Sequence, residues 1–188
     1  MLMTGRVDVA SEFGPVVLLW NRDSEGPLVR RILMSKPDKP ADVVADSLFP
    51  HAVFSRCSET DFVAERLLEV IGGQGRPFPV DLLDLSSCTS FQLSVLLEDS
   101  KIVSGSVSSY GRLAKAISRP QGARAVGNAL AWNPFPFLIP CHRVVSADGS
   151  IGGFQGGVSM KQMLLEREGV SFSKSGRIIS PNWYPSEQ

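Results

Sequence analysis

Cys141 and His142 stand side by side in Phe137-Leu138-Ile139-Pro140-Cys141-His142-Arg143-Val144-Val145, behind a proline and between two apolar runs. A thiolate is the nucleophilic form of cysteine, and a neighbouring imidazole can take the thiol proton. The segment reads as a cysteine nucleophile with its base, in surroundings apolar enough to shelter a thiolate. Downstream, Gly152-Gly153-Phe154-Gln155-Gly156-Gly157 offers backbone amides with few side chains in the way. Such a run allows close approach of a flat ligand, and it also fits a flexible surface loop.

Helical patterns flank this segment. From Thr89, the residues Phe91, Val95 and Leu96 share one face of a short helix ending before Ser100. Ser108 or Ser109 can cap a second helix over Tyr110–Ser118, with Leu113, Ala114 and Ile117 apolar. After the break Arg119-Pro120-Gln121-Gly122, a third helix over Ala123–Trp132 places Ala123, Val126, Gly127 and Leu130 on one face. Arg124 and Asn128 fall on a neighbouring, exposed stripe. Two short helices joined by a glycine-containing turn make a helix-turn-helix candidate. A final helix, Met160–Glu168, turns Met163, Leu164 and Leu165 inward and closes at Gly169.

The first portion has a different character. Val16–Trp20 and Leu28–Met34 read as strands joined by a polar turn. Thr60 can cap a helix through Ile71 that carries Phe62, Val63, Leu67 and Val70 or Ile71 at helical spacing, with Gly72-Gly73 as its stop. A proline-containing loop and the apolar patch Val80–Leu85 follow.

At 188 residues, 43% hydrophobic and 20% charged, the chain has the composition of a globular protein with a substantial core. No stretch approaches the roughly 18 apolar residues of a membrane span. Met1–Ser11 lacks the basic-then-apolar pattern of a signal peptide, so a cytoplasmic protein (nuclear in a eukaryote) is expected. Cys57, Cys88 and Cys141 form an odd, scattered set that suits reduced thiols, with Cys57 and Cys88 expected as small buried hydrophobes. His51 and His142 are the only histidines and no Cys-x-x-Cys pair occurs, so no catalytic metal and no cofactor are expected. The zero net charge hides an asymmetry. Residues 1–100 hold 9 Lys/Arg against 15 Asp/Glu, and residues 101–188 hold 10 against 4. Two readings fit: a C-terminal half that meets a polyanion, or chance clustering of solvated side chains.

Taken in order, several motifs resemble the O6-alkylguanine-DNA alkyltransferase family. They are Thr89-Ser90-Phe91-Gln92, Val107-Ser108-Ser109-Tyr110-Gly111, Ala123-Arg124-Ala125-Val126-Gly127, Asn133-Pro134, Pro140-Cys141-His142-Arg143-Val144-Val145, Gly152-Gly153-Phe154-Gln155-Gly156-Gly157 and Leu164-Leu165-Glu166-Arg167-Glu168-Gly169. The resemblance covers about Ser87 to Gly169. It implies an α/β (α+β) protein in two parts: a small ribonuclease-H-like α/β domain over residues 1–85, then a mostly helical domain with the helix-turn-helix over 86–188. It also implies repair of DNA by direct damage reversal, with the O6-alkyl group of a flipped-out guanine moving irreversibly to Cys141. The thioether product has no route of release, so each molecule would act once.

By the same resemblance, His142 takes the thiol proton through a water, Glu168 orients His142, and Tyr110 protonates the departing base. Arg124 fills the gap in the base stack, with Tyr110, Ala123, Gly127 and Asn128 also at the DNA. Asn133 hydrogen-bonds around the active turn, and backbone groups of Cys141, Val145, Phe154 and Gln155 read the guanine. The expected partner is double-stranded DNA, bound from the minor groove by a monomer, with no membrane involved. Leu96, Val103 and Phe154 depart from the usual tryptophan, proline and tyrosine of the family, and none removes a group the chemistry needs. Three other readings compete: a lesion-binding relative without transfer, a cysteine hydrolase using Cys141 and His142, and a helix-turn-helix regulator.

Overall fold

The computed structural model describes residues 4–24, 26–179 and 181–185. Strands β1 (Gly5–Val9), β2 (Val16–Arg22) and β3 (Pro27–Met34) form an antiparallel meander, and the short β4 (Val53–Phe54) joins β1 in parallel. The sheet order is β3-β2-β1-β4. β2 is apolar without interruption from Val16 to Trp20, where both of its faces are covered. Val16, Leu18 and Trp20 enter the main core, while Val17 and Leu19 pack against Ala41 and Ala45 of α1 (Ala41–Leu48).

β1, β4 and α1 left little trace in the sequence. The buried face of α1 is two alanines, while its larger apolar residues Val43 and Leu48 face outward. β1 opens on Gly5, where the Trp20 indole occupies the space a Cβ would need, 2.3 Å away.

Helix α2 (Ser58–Ile71) starts two residues before the expected cap. Cys57 holds the N-cap position, and Thr60 is instead the third helical residue. The Thr60 hydroxyl accepts from Cys57 N at 2.9 Å and closes a capping box. Phe62 also departs from expectation: it turns outward and stacks on Phe78, leaving Val63, Ala64, Leu67 and Val70 to make the buried face. Cys57 and Cys88 are half-buried against the core rather than enclosed in it.

The second half matches its pattern closely. Thr89 caps α3 (Ser90–Asp99), and Ser109 caps α4 (Tyr110–Ala116) by accepting from Arg112 N at 3.2 Å. Each such cap is worth about 1 kcal/mol. α4 ends two residues early, and α5 (Ala123–Ala131) follows the turn. Strand β5 (Ser108–Ser109) pairs in parallel with β6 (Val144–Val145), which leaves the active turn. In α6 (Val158–Arg167) the inward face is Met160, Lys161, Leu164 and Leu165. Met163 is 40% exposed, so its expected inward position is corrected, and a lysine takes the buried place.

One apolar cluster runs from β1–β3 and α2 through α3–α5 to Ile139, Cys141 and Val144. The sheet also grips the active region directly, with Ile32 N donating to Pro134 O at 2.9 Å. Among the described residues no helix is long and apolar enough to cross a membrane.

Candidate active site

Pro140 ends the apolar run, and Cys141–Arg143 forms a single 3-10 turn before β6. The loop that delivers it is held by Asn133, which is buried. Asn133 Nδ2 donates to Ile139 O at 3.0 Å, and its Oδ1 accepts from Phe135 N at 2.9 Å. Within this loop Phe137 has φ +71°, a left-handed conformation costing a bulky residue roughly 1–2 kcal/mol. Asn133 and the full burial of Phe135 and Phe137 fix the loop around that strain.

Cys141 is 6% exposed. Burial first, then the charge of Asp99, pushes its pKa up to about 12, against a bond from Asn133 and the field of Lys161. This corrects the expectation of a sheltered thiolate. An apolar enclosure disfavours the charged form, so the resting group is a thiol that needs a base at the moment of reaction.

His142 is completely buried, with Nε2 3.1 Å from Glu168 Oε1. An ionised carboxylate only accepts, so Nε2 carries the proton and Nδ1 holds the lone pair. Nδ1 has no hydrogen-bond partner and therefore does not bond Cys141 directly. Burial lowers the His142 pKa and Glu168 opposes that shift only in part, so the ring is neutral and ready to accept a proton.

Glu168, at the C-cap of α6, is gripped by Arg143 through Nε (2.9 Å to Oε2) and Nη2 (2.7 Å to Oε1). Burial would raise its pKa, but bonds from His142 and Arg143 outweigh it and hold the carboxylate below its ordinary range. Arg143 also donates through Nη1 to Ile102 O beyond α3.

A cavity of about 350 Å³ opens onto Cys141, lined by Tyr110, Gly127, Leu130, Phe154 and Gln155 among others. Its size lies in the range of small-ligand sites, about 300–1,000 Å³. The Tyr110 ring lies against α5 at Gly127, where a Cβ would meet it at 3.6 Å, an ordinary contact. Phe154 stands edge-on to His142 with ring centres 6.3 Å apart, and Gln155 Nε2 donates to Asn133 O at 3.0 Å. A larger groove of about 810 Å³ borders this cavity and shares Lys36, Ala131 and Gln155 with it. No cysteine lines it, and Cys141 opens only onto the smaller cavity, which is therefore the candidate reactive one.

These residues sit inside a region that matches a family model described as the DNA-binding domain of 6-O-methylguanine DNA methyltransferase, over residues 90–170. A methylated-DNA–protein-cysteine methyltransferase of Methanosarcina acetivorans is 35% identical over 160 residues, covering 85% of this chain and 94% of that protein. The chain belongs to this methyltransferase family. A relative of the same name from Methanothermobacter thermautotrophicus is 42% identical over 63% of this chain and 68% of its own length. The crystal structure of Mycobacterium tuberculosis O6-methylguanine methyltransferase superimposes with a TM-score of 0.70 at 31% identity, covering 88% of this chain and 93% of that one.

Against the family motifs, the structure brings Tyr110, Cys141, Phe154 and Gln155 to the wall of one cavity, with His142, Glu168 and Asn133 bonded behind it. Val145 is wholly buried in β6 against Val107, Leu165 and Val170 and does not line the cavity. Arg124 and Asn128 are exposed on α5, Ala123 is half-buried, and Gly127 faces Tyr110. Sequence reasoning missed three buried charges. Arg143 is the second partner of Glu168. Lys161 Nζ donates to Val144 O at 2.6 Å and Gly153 O at 3.1 Å, tying β6 to the glycine loop. Asp99 lies wholly buried with neither carboxyl oxygen hydrogen-bonded. Among the described residues no three His, Cys, Asp or Glu side chains gather as metal ligands would.

Proposed function

We propose that this methyltransferase repairs O6-alkylguanine in DNA by taking the alkyl group onto Cys141, once per molecule. The observation that carries the reading is the buried thiol on the cavity wall beside a neutral His142, whose Nδ1 lone pair is free and whose Nε2 is fixed by Glu168.

The flipped guanine enters the cavity between Tyr110 and Phe154. Sulfur attacks the alkyl carbon as the carbon–O6 bond breaks, and its proton passes through a water to His142 Nδ1. The bonding pair stays on guanine, which takes a proton from the Tyr110 hydroxyl. The imidazolium then gives its proton up through solvent and the tyrosinate recovers one, so that net one proton moves from sulfur to the base. Burial keeps Tyr110 protonated and thus a donor. Glu168 stabilises the imidazolium while the proton is in transit, the division of labour of other nucleophile–base–acid sets. Extrusion of a base costs a few kcal/mol of stacking and pairing. Arg124, exposed near the start of α5, fills the vacated space, with Ala123, Gly127 and Asn128 along the same DNA-facing surface. Backbone groups of Cys141, Val145, Phe154 and Gln155 read the guanine edges.

The remaining features belong to the same reading. DNA is approached from the minor groove by a monomer, which acts in the cytoplasm or, in a eukaryote, the nucleus. Residues 1–85 form a ribonuclease-H-like supporting domain and 86–188 the reacting one. The sheet order β3-β2-β1-β4, with its one parallel strand reached through α1, supports that description of the first part.

The test is intact mass after mixing the protein with a duplex containing one O6-methylguanine. A gain of one methylene equivalent on Cys141, never more than one per protein and absent in Cys141→Ala, is expected. Tight binding with no mass change would sink transfer and leave lesion binding alone.

A further inference from the structure

Tyr110 is the group that this mechanism positions most narrowly. Its ring lies against Gly127, and a Cβ placed on Gly152 would come within 2.9 Å of its hydroxyl. Yet Tyr110 opens a helix of only seven residues, which has little capacity to hold its own place.

The segment Asn182–Pro185 supplies what α4 lacks. Val107 N donates to Asn182 O at 2.9 Å, and Tyr184 N donates back to Val107 O at 2.7 Å. These bonds make a single parallel bridge between Trp183 and Val107, the residue that leads into β5. β5 is thus anchored by that bridge at its entry and by β6 along its length, and its next residue is Tyr110. Side chains extend the grip. Ser108 Oγ donates to Tyr184 O at 2.6 Å, and Arg112 Nη1 donates to Pro185 O at 2.8 Å. The Arg112 guanidinium also lies over the Trp183 ring, 5.1 Å from its centre. Tyr184 reaches past both to donate its hydroxyl to Glu98 Oε1 of α3 at 3.0 Å. Asn182 Nδ2 donates to Ser106 Oγ at 2.8 Å. One short stretch therefore bonds to α3, the approach to β5, β5 itself and α4.

We infer that Asn182–Pro185 is a brace for Tyr110, and that Trp183 is a positioning residue for alkyl transfer. The inference rests on the role given to Tyr110 above. The brace sets the start of α4 relative to the active turn, so that the hydroxyl meets the flipped base. Without it, β5 keeps its bonds to β6 but loses the bridge at its entry, and Tyr110 gains freedom at the cavity wall.

Tyr110 and Tyr184 are the only tyrosines in the chain, which makes a direct reading possible. Protein labelled with 3-fluorotyrosine gives two fluorine resonances, assigned by the loss of one in Tyr184→Phe. The variants are Trp183→Ala and Arg112→Met, the second removing the stack and the Pro185 bond while leaving the bridge whole. In each, the Tyr110 resonance should shift or broaden. The limiting rate of transfer from an O6-methylguanine duplex should fall about tenfold for Trp183→Ala, within what an ångström of misplacement costs. A smaller loss is expected for Arg112→Met. Alkylation of Cys141 by iodoacetamide, which needs the thiol and its base but no proton from Tyr110, should stay at the unmodified protein's rate. An unmoved Tyr110 resonance, or transfer at full rate in both variants, would overturn the brace. If the unmodified protein itself gains no methyl group, the repair reading fails instead, and the two failures are told apart by that control.

Discussion

Glu168 lies 3.1 Å from His142 Nε2 while its two oxygens are also held by Arg143, so one buried carboxylate fixes the imidazole and neutralises a buried guanidinium. The two duties predict two losses from Glu168→Gln. Transfer should slow by at least about tenfold, a share of the roughly 10²–10⁴ that a positioned base supplies. Stability should drop by about 3–5 kcal/mol, because Arg143 is left as an unpaired buried charge. Single-turnover rates by intact mass, with urea unfolding of the same samples, check both. A variant that reacts at full rate would remove Glu168 from the proton path.

The pH dependence of transfer follows from the buried pair Cys141 and His142. The thiol, pushed up to about 12, contributes no thiolate of its own near neutrality. Reaction therefore tracks neutral His142, whose pKa burial depresses below its ordinary value. Protonated imidazole cannot accept the thiol proton, so the rate should be level through neutrality and fall on acidification. Because the pKa is lowered, the midpoint of that fall should lie below about 6.5. Single-turnover profiles between pH 5 and 9 would show it. A midpoint above the ordinary histidine value would place the base elsewhere.

The active turn was legible because its chemistry lies in adjacent residues, where no fold is needed to see a thiol beside an imidazole. The helix pair was legible for a similar reason: Ser109 caps it, and Val126 and Leu130 keep a clean buried stripe. Lys161 was not. A lysine within a helical pattern reads as solvent-facing, and only the fold reveals two carbonyls waiting for it. Asp99, the last residue of α3, sits where a carboxylate ordinarily meets solvent, and nothing local announces that the fold buries it completely. The thiolate expectation failed on a physical point: burial that shelters a group also withholds the solvation its charge needs.

Asp99 yields a test in stability. Arg143 and Lys161 are its cationic neighbours, but both donate elsewhere, and burial lifts its pKa from 3.8 to about 8. The folded state then binds a proton that the unfolded chain releases near pH 4, so stability is full below that value and is lost as pH rises towards 8. Lys161, lowered to about 8, works in the opposite sense only at higher pH, between 8 and its ordinary 10.5. His142 also opposes it, but only at the acid end. Asp99→Asn should therefore flatten the decline between pH 6 and 8 and leave the variant the more stable of the two at pH 8. Urea unfolding midpoints across that range decide it. Parallel curves for the two proteins would mean that Asp99 finds a partner and stays ionised.

Arg124 separates DNA handling from chemistry. It is exposed on α5, while every group assigned to bond making and proton transfer lies on the cavity wall or beneath it. Arg124→Ala should therefore leave the reaction with free O6-benzylguanine within about twofold of the unmodified protein, since surface changes rarely disturb a core. Repair of an O6-methylguanine duplex should fall far more, because an extruded base returns to the stack when nothing fills its place, and that return is favoured by a few kcal/mol. Binding to duplex should also weaken and lose part of its salt dependence, as expected when one cation leaves a phosphate-rich interface. Equal losses on free base and duplex would show that Arg124 supports the cavity itself. Equal retention on both would move the stack-filling role to another residue of α5, with Asn128, exposed one turn further along, as the next to replace.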